Sequence, residues 1–251
     1  MSVYLKMANH TEELERLPEV GGIIHLEHFN FEMEEHELAT IFFMNGLGLT
    51  RDPYKRTDET NMGINIGLQQ FHLPRRGKPT PPFFGEIGLL LPDLNVVRAR
   101  LDRLERKRVF EGTEYCLQEV SDNQLLVQSP WGVVMRLWRD GALPFSRPLG
   151  LIYVDIPVPP DTAQQLRVFY ETLLGAPFQM LDIEGEASAI VTVGPQQQLR
   201  FRERLLDDYN LYDFHVAYYI SNYNVARDAA IGADVLRGGG RGQVCFIDGP
   251  F

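Results

Sequence analysis

Apolar and polar side chains alternate over residues 24–31, with Phe29 and Phe31 on one side of an extended segment and His28 and Asn30 on the other. That period of two predicts a strand. A helix over 34–45 follows, then a strand over 62–73 that stops at Pro74. After the loop from Arg75 to Pro82 the pattern restarts, with a strand over 85–91, a helix over 93–106 and strands over 114–120, 123–128 and 133–138. Pro92 and Asp93 open that helix, and Val96, Val97, Leu101 and Leu104 make its apolar stripe. The polar stretch Arg139–Pro148 reads as a linker. Beyond it a helix runs from about Asp161 to Leu174, with Leu166, Phe169, Tyr170 and Leu173 on one face and Gly175 as its C-terminal stop. A further strand is expected over 213–220.

The linker divides the chain nearly in half, and the halves match at an offset of 127. Phe42 and Phe43 fall on Phe169 and Tyr170, Leu47 and Gly48 on Leu174 and Gly175, and Ile64–Gly67 on Val191–Gly194. A glutamine-rich strand follows in each case. This agreement predicts a duplicated unit. The expected organisation is an N-terminal extension over 1–21, a first half over 22–140 and a second half over 149–251. Each half holds two strand–helix–strands modules, an α+β arrangement. The fourth module, starting at Asp213, is expected to stop short at Phe251.

Composition narrows the class of protein. Of 251 residues 44% are hydrophobic, enough for a substantial core. Lys+Arg 24 against Asp+Glu 34 leaves a net charge of -10, which argues against non-specific binding to nucleic acid or to an anionic membrane. No apolar run approaches the roughly 20 residues of a membrane-spanning helix, and the first residues lack the apolar core of a signal peptide. Cys116 and Cys245 are isolated, so neither a disulfide framework nor a zinc knuckle is expected, and a cytoplasmic setting is. No Gly-x-Ser-x-Gly motif supports a serine nucleophile. The glycines of 238–242 lack the strand and helix of a phosphate-binding loop and read as a hairpin or loop.

The repeated module, with an aromatic pair ahead of Leu-Gly, resembles the vicinal oxygen chelate superfamily of glyoxalase I, bleomycin and fosfomycin resistance proteins and extradiol dioxygenases. The motifs that carry the resemblance lie at Leu26–Phe31, Ile41–Gly48, Gly85–Asp93 and Ser129–Arg136, and it spans residues 22–251. It implies four βαβββ modules paired into two open, curled-sheet barrels around a central site. It also implies ligands on the first and last strands of the paired modules. In the first half those places hold His28, His72, Glu86 and Arg136. In the second they hold Asp155, Leu199 or Arg200, and His215, with the fourth at or past the chain end.

Two imidazoles and a carboxylate suit a divalent first-row metal, here Fe, Mn, Ni or Zn, with positions left for a chelating substrate. Arg136 cannot ligate. Either a three-ligand site uses it to grip an anionic group of the substrate, or Glu86 and Arg136 form an ion pair and no metal binds. The second-half set is expected to be degenerate, buttressing the first half or forming a homodimer surface. His25 is expected near the helix or solvent, His36 in solvent among Glu34, Glu35 and Glu37, and His10 in a tail. Arg75, Arg76 and Lys78 are expected to be a solvated basic loop. The function so implied is a metal-dependent enzyme on a small catechol-like or oxo-acid-like substrate, with dioxygenase chemistry favoured. A metal-free small-molecule binding or resistance protein of the same fold is the alternative.

Overall fold

The computed structural model describes residues 22–53, 60–144, 149–207, 214–240 and 243–246. The expected extension over 1–21, with His10, and the chain end at Phe251 lie outside them. The first module comprises β1 (Ile23–Phe31), α1 (His36–Ala39) continuing as a π-helix over Thr40–Gly46, β2 (Thr50–Arg51), β3 (Asn61–Ile66) and β4 (Gln69–Pro74). The second comprises β5 (Glu86–Leu91), α2 (Leu94–Arg106), β6 (Cys116–Ser121), β7 (Gln124–Gln128) and β8 (Val134–Arg139). The third runs from β9 (Gly150–Val158) through a 3-10 turn (Ala163–Gln165) and a π-helix (Val168–Leu173) to β10 (Phe178–Ile183), β11 (Glu186–Gly194) and β12 (Gln197–Glu203). The fourth has β13 (Phe214–Ile220), α3 (Tyr223–Gly232), β14 (Leu236–Gly240) and β15 (Gln243–Phe246).

Three local features depart from the sequence reading. The strand expected over 62–73 is a hairpin, β3 and β4, which turns at Gly67 with φ +68°. The helices expected over 34–45 and 161–174 both finish in wide turns at matching positions. Leu47 N–H bonds Phe42 O at 3.0 Å and Leu174 N–H bonds Phe169 O at 3.2 Å. Leu49 N–H then reaches Phe43 O, and Ala176 N–H reaches Tyr170 O, at 3.0 and 2.8 Å. The aromatic pair and Leu-Gly motif thus specify the same wide, glycine-ended turn twice, with Gly48 and Gly175 at positive φ. In α2 the buried stripe is Leu94, Val97, Leu101 and Leu104, while Val96 is 45% exposed because it sits a third of a turn off that face. Asp93 caps this helix by accepting from the N–H groups of Asn95 and Val96.

Two compact units emerge, and they do not follow the two sequence halves. Among the described residues, the first unit contains 27–155 and 214–217, and the second contains 22–26, 156–207 and 218–246. In the first unit, strands run β13-β1-β4-β3-β2 in one sheet and β9-β5-β8-β7-β6 in order along the other. The first strand of module one therefore lies beside that of module four, and the first strand of module two beside that of module three. In the second unit β10, β11 and β12 form an antiparallel meander, and β14 and β15 form the expected glycine-rich hairpin. The sheets are curled and open.

The glutamines of the repeated strands join strands that are not neighbours in a sheet, Gln69 of β4 to β9 and Gln197 of β12 to β1. Gln69 is buried in the first unit and its Oε1 accepts the Leu151 N–H at 3.1 Å. In the second unit Gln197, fully buried, accepts the Leu26 N–H at 3.1 Å and donates to the Leu26 carbonyl at 3.2 Å. Each glutamine side chain thereby acts as a short stretch of strand partner.

Candidate metal centre

β1 and β4 run parallel with His28 opposite Gln70, Phe29 opposite Phe71 and Asn30 opposite His72. Phe29, Phe31 and Phe71 are buried behind this pair, so alternation turns His28, Gln70 and His72 to the other face. There the two imidazoles stack with centroids 3.8 Å apart, a diagonal cross-strand contact. His215, on β13, meets His28 edge-on, with Nε2 of one ring 3.3 Å from Nε2 of the other. Burial holds the His215 pKa below the ordinary histidine value, and the charges of His28 and Arg76 push it the same way.

Each imidazole of the stacked pair also has a polar partner. The Nδ1 of His28 bonds Glu27 Oε2. The Nε2 of His72 lies 2.9 Å from Gln70 Oε1, and the Gln70 amide nitrogen donates to Asp52 Oδ2 and Asn65 Oδ1, both at 2.8 Å. Glu27, His28 and His72 bring ligand atoms within 4.8 Å of one another. Strict alternation would turn Glu27 away from His28. However, the buried positions of β1 step from Leu26 to Phe29, a spacing of three, and at that break the two neighbours share a side.

Glu86, expected beside His28 and His72, is not among that group. It stands opposite Asp155 on β9, and its carboxylate is taken by Arg136 from β8. The Arg136 Nε donates to Oε1 and Nη2 to Oε2, each at 2.8 Å. Tyr153 adds its hydroxyl to Oε1. Tyr153 reaches Glu86 by lying across Gly88, where a Cβ would stand 2.2 Å from the ring. Burial opposes the guanidinium charge, but Tyr153 and Glu86 together raise the Arg136 pKa above its ordinary value. The group is therefore a charge-assisted network in which the head of Arg136 is committed to Glu86.

The second-half set is dispersed by the same strand pairing. His215 stands with His28, Asp155 lies opposite Glu86 and is 1% exposed, and Leu199 and Arg200 are buried in the second unit. Among the remaining histidines, His25 stacks on Tyr219 with centroids 5.9 Å apart. His36 is not solvated as expected but half-buried, its Nε2 2.8 Å from the Leu73 carbonyl. Nor is the basic loop simply solvated, because Arg75 pairs with Glu34 and Lys78 with Glu32.

Sequence reasoning missed Glu27, Tyr153 and the Asp52–Gln70 relay. Gln70 carried a signal, since it shares a strand face with His72. For Tyr153 none existed, because its approach depends on the β5–β9 register.

No family model matches the chain, and no curated protein matches it. Solved structures do. Glyoxalase I from Zea mays superposes with a TM-score of 0.58 at 14% identity, over 84% of this chain and 79% of that one. A dioxygenase candidate from Bacillus subtilis superposes with a TM-score of 0.56 at 11% identity, over 84% of this chain and 75% of that one. The chain shares the fold of these two structures over most of its length.

Proposed function

We propose that the chain is a metal-dependent enzyme of the chelate type, with a divalent first-row cation held by Glu27, His28 and His72. The observation that carries this reading is that these three residues bring ligand atoms within 4.8 Å of one another. His72, stacked on His28, supplies the second imidazole. Glu27 replaces Glu86 as the carboxylate of the site, since both oxygens of Glu86 are engaged by Arg136 and Tyr153.

When bound, such an ion supplies Lewis acidity or, as iron(II), a place for oxygen activation. The substrate class that fits is a small molecule with two vicinal oxygens, catechol-like or oxo-acid-like.

The metal-free binding reading draws support from one observation, the Glu86–Arg136 pair. Titration of metal-stripped, untagged protein with Fe(II), Mn(II), Ni(II) and Zn(II) separates the two. The enzyme reading expects uptake of about one equivalent by the wild type and loss of that uptake in His28→Ala and His72→Ala. No uptake of any of the four ions would leave the metal-free reading in its place.

A further inference from the structure

The sheet face that carries His28 and His72 is lined by carboxamides. Across β1 and β4, Asn30 stands opposite His72 and Gln70 opposite His28. Across β4 and β3, Asn65 stands opposite Gln70, and Thr50 on β2 stands opposite Asn65. Adjacent strands lie about 4.7–4.9 Å apart, so these side chains are immediate neighbours of the two imidazoles. The 2.8 Å bond from the Gln70 amide nitrogen to Asn65 Oδ1 places Asn65 on their side. It uses the Asn65 oxygen and leaves the Asn65 NH2 to donate, while Asn30 offers an acceptor and two donors. Both asparagines are half-buried beside the cluster.

Among the described residues that strand register places on this face there is no lysine or arginine, and Asp52, bonded by Gln70, is a buried carboxylate. We infer that Asn30 and Asn65 are specificity-determining residues for an uncharged, hydroxyl-rich substrate. Two vicinal oxygens of that substrate reach the metal and its further hydroxyls bond the two carboxamides. The inference rests on the metal centre proposed above and narrows its substrate class. A hydroxyl both donates and accepts, so it can pair with either end of a carboxamide and brings no charge to be neutralised. A carboxylate placed beyond the metal would meet Asp52 and no cation on this face. A bare hydrocarbon tail would cover the carboxamides without pairing them.

The test uses full-length protein at saturating cobalt(II), whose visible absorption reports a ligand entering the coordination sphere. Three four-carbon probes are titrated. Erythrulose is an uncharged hydroxyketone with two further hydroxyls, 1-hydroxy-2-butanone is the same skeleton without them, and 2-oxobutanoate is an anion of the same length. The wild type should bind erythrulose more tightly than 1-hydroxy-2-butanone. That advantage should shrink about 2–10-fold in Asn30→Leu, the worth of one neutral hydrogen bond. It should shrink as much in Asn65→Asp, which keeps an oxygen for Gln70 and removes the NH2. Binding of 2-oxobutanoate should be the same in Asn30→Leu as in the wild type.

Equal affinity of the wild type for the two hydroxyketones, or an erythrulose advantage that survives both substitutions, would overturn the inference while leaving the metal centre in place. So would a loss of 2-oxobutanoate binding in Asn30→Leu as large as the loss for erythrulose, because the carboxamide would then serve an anion. Wild-type protein that takes up no cobalt would sink the metal centre and the substrate assignment with it, and the cobalt titration shows this before any probe is added.

Discussion

The Nε2 atoms of His28 and His215 face each other at 3.3 Å although the two residues are 187 positions apart in the chain. Strand pairing between the first and fourth modules makes this contact, because β13 lies directly beside β1. It converts what the sequence offers as two incomplete ligand sets, one in each half, into a single cluster of imidazoles. With Glu27, His28 and His72 as the donor set and His215 in contact with His28, His215→Ala should weaken zinc or cobalt binding by the roughly 10–100-fold typical of a residue outside the coordination sphere. Equilibrium competition with a chromogenic chelator measures it. An unchanged affinity would remove His215 from the site.

The Glu86–Arg136–Tyr153 network should matter for stability and not for metal. Removing one partner of a half-buried pair leaves the other charge uncompensated, so Arg136→Met is expected to destabilise the protein by about 3–5 kcal/mol. Tyr153→Phe removes one hydrogen bond to a charged group and should cost about 1.5–3 kcal/mol. Urea denaturation gives both values, and metal affinity in Tyr153→Phe should match the wild type. A large loss of affinity would place Glu86 back at the metal.

Gln197 provides a direct measure of the contact between β12 and β1. Gln197→Leu keeps the volume but leaves the Leu26 N–H and carbonyl buried without this partner. At about 1–3 kcal/mol for each orphaned group, a loss of about 2–6 kcal/mol is expected. Exposed Gln164→Leu is the matched control and should fall within about 0.5 kcal/mol of the wild type.

His36 should make stability pH-dependent. Burial lowers its folded-state pKa below the ordinary value, with Arg75 and Arg51 adding to the effect and the Leu73 carbonyl and Glu34 opposing it. The unfolded chain therefore takes up a proton first as the pH falls. The stability His36 contributes is complete above its unfolded value of 6.5 and is lost as the pH drops through the lowered folded value. In His36→Gln, melting temperatures between neutral and mildly acidic pH should fall less steeply than in the wild type. Parallel curves for the two proteins would assign the dependence to other groups.

Much of this protein was legible in order of residues alone. Period-two runs located β1, β5, β8 and β13, a 3.6-residue stripe located α2, and the offset of 127 located the matching turns at Phe42–Gly48 and Phe169–Gly175. The reason is that these features are local: side chains alternate on a strand and recur on a helix whatever lies nearby. The same alternation was enough to turn His28 and His72 to one face.

What only the tertiary structure decided was which strand lies beside which. Sequence order suggests pairing within each half, whereas hydrogen bonding between β1 and β13 and between β5 and β9 crosses the halves. That choice sends His215 to His28, sets Asp155 opposite Glu86, and brings Tyr153 over Gly88 to the Glu86 carboxylate. Glu27 was hidden for a smaller reason, the steps of three between buried positions Ile23, Leu26 and Phe29. Contacts between residues far apart in the chain depend on register and on edge selection, and neither leaves a mark on the local pattern of polar and apolar positions.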